Sequence, residues 1–105
     1  PEPTFTLYRL LAGVGGGTVV GVPLDEQLRF RVDAIVSAAR ESSATIVVLC
    51  TPNNPTGGSL TREEIERIHD ETGAIIVLDQ AYVEFGGYDA IQLLAERPRL
   101  IVLRT

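Results

Sequence analysis

Two apolar runs, Thr45 to Cys50 and Ala74 to Leu78, bracket a single amphipathic helical stretch. Runs that are apolar on both faces, separated by single helices, build βαβ units and therefore a parallel sheet covered by helices. The stretch between them marks its own ends. Thr61 and Glu64 have the spacing of a capping box, Leu60 and Ile65 that of its hydrophobic staple, and Gly73 is the stop. Ile65 and Ile68 face inward on this reading, and the crossover is right-handed. The pattern predicts an α/β fold of three layers, α/β/α, with a mostly parallel sheet of about four strands.

The alternation continues on both sides. Phe5, Tyr8, Leu11 and Ala12 fall at helical spacing behind Pro3-Thr4, and Gly13 to Gly17 end that helix. Thr18 to Val22 is a β-branched run closed by Pro23 and reads as a strand. Val32, Ile35, Val36 and Ala39 trace one helical face. Asp89 with Gln92 caps a short helix bearing Ile91, Leu94 and Ala95, stopped by Pro98, and Leu100 to Leu103 is the last strand. The chain starts where an incoming strand is due and stops just after a strand. Residues 1–105 are therefore expected to be a central segment of a larger domain, cut at both ends and without a second domain.

Composition removes several chemistries. All nine basic residues are arginines and none is lysine, which excludes a P-loop lysine or a Schiff-base lysine on this chain. A net charge of -5 argues against nucleic-acid binding, which needs clustered basic residues. No segment approaches the roughly 20 apolar residues of a membrane-spanning helix. Cys50 is the single cysteine, so no internal disulfide forms, and a reducing, cytoplasmic setting is expected.

Both apolar runs end in polar side chains: Thr51-Pro52-Asn53-Asn54-Pro55-Thr56-Gly57-Gly58 after the first, Asp79-Gln80-Ala81-Tyr82 after the second. Open α/β sheets bind ligands outside the carboxyl ends of their strands, so these two ends outline a crevice. Taken singly, Asp79 fits a helix cap or solvated turn, and Asn53 and Asn54 fit simple turn formers. Their pairing favours a ligand. Phe5 fits a core position as well as a site. Tyr8, Tyr88 and Phe85 read as packing residues, Cys50 as a buried thiol, and His69 as a surface residue without the partners a metal needs. Glu63, Glu64, Glu66, Asp70 and Glu71 read as a solvated helix face. The glycines at 13–17 follow a helix and precede a strand, the reverse of a dinucleotide fingerprint, and serve as a turn.

Pro52-Asn53-Asn54-Pro55-Thr56-Gly57, Asp79-x-Ala81-Tyr82 and Leu103-Arg104-Thr105 together resemble the fold-type-I pyridoxal-phosphate aminotransferases. Pro3-Thr4-Phe5-x-x-Tyr8 and Ala81-Tyr82-Val83-Glu84-Phe85 are similar to the histidinol-phosphate aminotransferase subgroup, and the resemblance runs end to end. It implies that 1–105 is part of the large domain of such a transferase, with pyridoxal 5'-phosphate as cofactor. It gives Asp79 the pyridine nitrogen, Asn54 and Tyr82 the ring's 3-oxygen, and Phe5 the stacking position, and makes Asn54-Pro55 a cis peptide. Gln80 departs from the family's usual glutamate. Strand alternation turns that side chain away from the ring, so a small effect is expected.

The resemblance further implies a homodimer that moves an amino group between an amino substrate, histidinol phosphate foremost, and 2-oxoglutarate. The cofactor-linking lysine is expected beyond Thr105, so the chain alone is expected to be inactive. Aromatic amino acids are the alternative substrates. A ligand-binding α/β fragment without chemistry, and a structural piece for dimer packing, are the other readings.

Overall fold

The computed structural model describes residues 1–105, with helices α1 (Leu7–Val14), α2 (Val32–Glu41) and α3 (Arg62–Thr72) and strands β1 (Ile46–Cys50), β2 (Ile75–Asp79) and β3 (Leu100–Leu103). The strands form one parallel sheet in the order β1-β2-β3, so each crossover leads to the next strand. The α/β class and the parallel sheet are as the sequence pattern predicts.

Thr61 makes α3 start where it does. Its hydroxyl accepts from the Glu64 N–H at 3.2 Å while the Glu64 carboxylate accepts from the Thr61 N–H at 2.9 Å, which satisfies two otherwise orphaned donors. Gly73 ends it in the left-handed region at φ 69°, a conformation glycine adopts without steric cost. Leu60 and Ile65, the expected staple pair, are both fully buried. Arg67 ties α3 to α2 through Asp33 at 2.6 Å.

Register explains the core. Val47, Ile76 and Leu100 lie side by side across the sheet, as do Leu49, Leu78 and Val102, and these residues share one face. Ile35, Val36, Ala39, Ile65 and Ile68 from α2 and α3 pack into the same core. Burial of a large aliphatic side chain such as Leu78 contributes about 1.5–3 kcal/mol. Ile46, Ile75, Ile101 and Leu103 occupy the opposite face and are exposed, so within these 105 residues the two helices cover one side of the sheet only.

Three expectations change. Thr18 to Val22 is not a strand: the only pairing there is a bridge between Glu2 and Pro23, and the sheet has three strands where about four were expected. A β-branched run becomes a strand only against a ladder partner, and Glu2 offers it a single position. The helix expected around Ile91 is a short 3-10 turn, Ala90–Leu93, although Asp89 caps it as expected, accepting from the Ile91 N–H at 3.0 Å. His69 is 5% exposed, not on the surface. With Ile65, Ile68 and Thr72 it forms the inner stripe of α3. The chain after Pro98 also folds over it, the Arg99 guanidinium donating to the His69 carbonyl at 2.8 Å.

The acidic face of α3 is paired as well as solvated. Arg97 reaches Asp70 at 3.1 Å and Glu66 at 3.4 Å, and Arg67 reaches Glu71 at 2.7 Å. The carboxyl of Asp70 lies below its ordinary range, first through its hydrogen bond with His69 and then through Arg97.

Candidate active site

Parallel register carries Cys50, Asp79 and Leu103 to the same height at the carboxyl ends of β1, β2 and β3. Their side chains share the sheet face opposite α2 and α3, and all three line one cavity of about 290 Å³. Phe5, Asn54 and Tyr82 line the same cavity. Alternation sends the next residue, Gln80, to the other side. There it is 1% exposed, donating to the Tyr88 carbonyl at 2.6 Å and accepting from the Ala90 N–H at 3.0 Å. Gln80 therefore shapes the loop after β2 and takes no part in the cavity lining.

The loop after β1 is rigid because its polar groups bond one another. The Thr51 hydroxyl accepts from the Leu60 N–H at 2.9 Å, closing the loop onto the start of the α3 segment. Asn53, 3% exposed, is the hub. Its N–H donates to the Gly58 carbonyl at 2.7 Å and its carbonyl accepts from the Gly57 N–H at 2.8 Å. Its side-chain amide donates to the Thr56 hydroxyl at 2.8 Å and the Pro3 carbonyl at 2.9 Å, while its side-chain oxygen accepts from Thr4 at 2.6 Å. Gly57 at φ 78° makes the turn. The Asn54-Pro55 bond is cis, in agreement with the resemblance, as are Glu2-Pro3 and Thr51-Pro52.

Asn53 thus docks residues 3–4 onto the loop, and the same segment leads into α1 and brings Phe5 and Tyr8 to the crevice. Phe5 is 40% exposed and meets Tyr8 edge-on, with ring centroids 6.0 Å apart. Its core reading is thereby set aside. The Tyr8 hydroxyl donates to Oδ2 of Asp79, and the Ala81 N–H donates to Oδ1 at 3.0 Å. Burial raises the Tyr8 phenol above its ordinary range, and the hydrogen bond to the Asp79 carboxylate raises it further. Burial likewise pushes the Cys50 thiol up, with the charge of Asp79 adding to it.

Each carboxylate oxygen accepts more than one hydrogen bond, so Asp79 retains capacity for a cationic N–H presented from the cavity. Around it stand an amide and a phenol able to donate to an oxygen, and an aromatic ring able to stack. A protonated pyridine bearing a ring oxygen fits this set. A larger cavity, about 350 Å³, lies beyond Asn54 and Tyr82 and includes Phe85, but no carboxylate lines it.

All four sequence-predicted site residues, Phe5, Asn54, Asp79 and Tyr82, come together. Tyr8, read as packing, instead bonds Asp79, whereas Asn53, weighed as a turn former, does hold the loop together. The sequence places Phe5 and Tyr8 at helical spacing, although α1 begins only at Leu7 and Phe5 precedes it. Phe85, also expected to pack, is 85% exposed, whereas Tyr88 packs against the core as expected.

Comparison with known proteins shows what the chain as a whole is similar to. The histidinol-phosphate aminotransferase of Chlorobaculum tepidum is 50% identical over an alignment 106 positions long that covers all of this chain and 30% of that protein. The solved histidinol-phosphate aminotransferase of Sinorhizobium meliloti, in complex with pyridoxal-5'-phosphate, superposes with a TM-score of 0.85 at 25% identity, covering 97% of this chain and 29% of its own. L-threonine-O-3-phosphate decarboxylase of Porphyromonas gingivalis superposes with a TM-score of 0.78 at 28% identity, covering 99% and 32%. The chain thus spans about 30% of the length of the curated relatives it matches. The family model for aminotransferase class I and II, a pyridoxal-phosphate-dependent family, matches residues 1–105, and the chain belongs to that family.

Proposed function

We propose that residues 1–105 are the central segment of the cofactor-binding large domain of a histidinol-phosphate aminotransferase. The observation that carries this reading is the Asp79 carboxylate, facing a cavity it shares with Phe5, Asn54 and Tyr82. Asp79 would hold a proton at the pyridine nitrogen of pyridoxal phosphate, Asn54 and Tyr82 would bond the ring's 3-oxygen, and Phe5 would stack on the ring. Such an offset aromatic contact adds about 0.5–1.5 kcal/mol beyond its buried area. When bound, the cofactor supplies an electron sink for charge that develops at the substrate carbon. The chain's part would be to hold the ring and keep its nitrogen charged.

The parent enzyme, a cytoplasmic homodimer on this reading, moves the amino group of histidinol phosphate to 2-oxoglutarate. The chain has no lysine to link the cofactor, so on this reading it does not turn over by itself. Identity of 50% to the Chlorobaculum protein favours histidinol phosphate over aromatic amino acids. A second reading, decarboxylation, draws on the likeness to the Porphyromonas decarboxylase. The full-length enzyme, given histidinol phosphate and 2-oxoglutarate, is expected to form glutamate. Glutamate from aromatic amino acids alone, or carbon dioxide release from a phosphorylated amino acid without glutamate, would overturn the assignment.

A further inference from the structure

Asp79 and Tyr8 are 71 residues apart in sequence and meet because two anchors bring α1 to the strand ends. Thr4 binds Asn53 in the loop after β1, and one helical turn later Tyr8 binds Asp79 at the end of β2. The backbone N–H of Ala81 occupies Oδ1 of the carboxylate at 3.0 Å, and the phenol occupies Oδ2. We propose that Tyr8 is a positioning residue for Asp79, fixing the rotation of the carboxylate that lines the cavity.

The physical reason is the sign of the interaction. A donor bonded to the charged form of a carboxyl group favours that form, and loss of the phenol leaves Oδ2 of Asp79 without this donor. A protonated Asp79 no longer holds a cationic nitrogen. The titratable groups facing the Tyr8 phenol are Asp79 from β2 and Cys50 from β1. Both disfavour the phenolate, so Tyr8 stays a donor across the working range. Phe5 touches the same ring edge-on, which couples the stacking surface to the carboxylate.

The inference rests on the assignment of Asp79 to the cofactor nitrogen, and its test separates the two. Full-length enzyme is prepared as wild type, Tyr8→Phe, Asp79→Asn and the double variant. Retention of pyridoxal phosphate is measured against pH by equilibrium dialysis, and tyrosine ionisation by absorbance in the cofactor-free protein. Tyr8→Phe is expected to keep its melting behaviour but to release cofactor at a pH about one unit higher on the acid side. One unit is the scale of a single charge-assisted hydrogen bond. In the Asp79→Asn background the same substitution is expected to change nothing. One phenol is expected to titrate above the ordinary value of about 10 in wild type and to move down in Asp79→Asn. That last measurement needs no change at Tyr8 and stands even if Tyr8→Phe folds poorly. An acid limb identical in wild type and Tyr8→Phe, an equal shift in the Asp79→Asn background, or a phenol indifferent to Asp79 would each overturn the positioning role. Asp79→Asn that retains cofactor as wild type does would overturn the Asp79 assignment, and the positioning role with it.

Discussion

The side-chain oxygen of Asn53 accepts a hydrogen bond from the Thr4 hydroxyl at 2.6 Å, across 49 residues of sequence, and this contact fastens the segment bearing Phe5 and Tyr8 to the loop after β1. Because Asn53 is buried, its removal leaves Pro3, Thr4 and Thr56 without their partner. Asn53→Ala is expected to cost about 2 kcal/mol, as buried polar groups left unpaired do. Urea unfolding measures it. Cofactor affinity is expected to fall as well, since Phe5 is no longer held over the cavity.

Gln80 acts from the far side of the same strand. Gln80→Leu removes the partner of the Tyr88 carbonyl and the Ala90 N–H together, and is expected to destabilise by about 2 kcal/mol. Hydrogen exchange at Ala90 is expected to accelerate, with the ring-binding side chains unchanged. Unaltered exchange at Ala90 would contradict the role assigned to Gln80.

Much of this was legible because the sequence writes βαβ units plainly. The capping box at Thr61 and Glu64, the glycine stop at Gly73 and the apolar runs followed by the polar segments with Asn54 and Asp79 each encode local geometry. Their local signals agree with the tertiary outcome. What the sequence hid depends on contacts between distant segments. Tyr8 looks like any aromatic on a helical face until α1 is docked at the strand ends. His69 looks solvated until the chain after Pro98 crosses it. Thr18 to Val22 has strand composition but lacks a ladder partner among these residues, and composition does not report partners.

The Cys50 thiol carries a pH prediction. Its folded pKa is raised by burial above the ordinary value of about 8.5. The protonated thiol's contribution to stability is therefore complete below that value and is lost as pH rises toward the folded one. Melting temperature is expected to decline above that ordinary value, less so in Cys50→Ala, and iodoacetamide is expected to label native Cys50 far more slowly than the unfolded chain. Equal labelling rates would contradict it.

The exposed face of the sheet carries a prediction for the isolated chain. Ile46, Ile75, Ile101 and Leu103 present apolar surface together with two strand edges, and such surfaces associate. Sedimentation of residues 1–105 is expected to show self-association or a marginally stable species. A monomer that unfolds cooperatively would contradict this.

The central claim is that Asp79 keeps the cofactor's ring nitrogen protonated. The most direct measurement is the nitrogen chemical shift of pyridoxal phosphate labelled with nitrogen-15 in the ring, bound to the full-length enzyme and to its Asp79→Ala variant at neutral pH. The account predicts a pyridinium shift in the wild type and a neutral-pyridine shift, with weaker binding, in the variant. Identical shifts and affinities in the two proteins would contradict it.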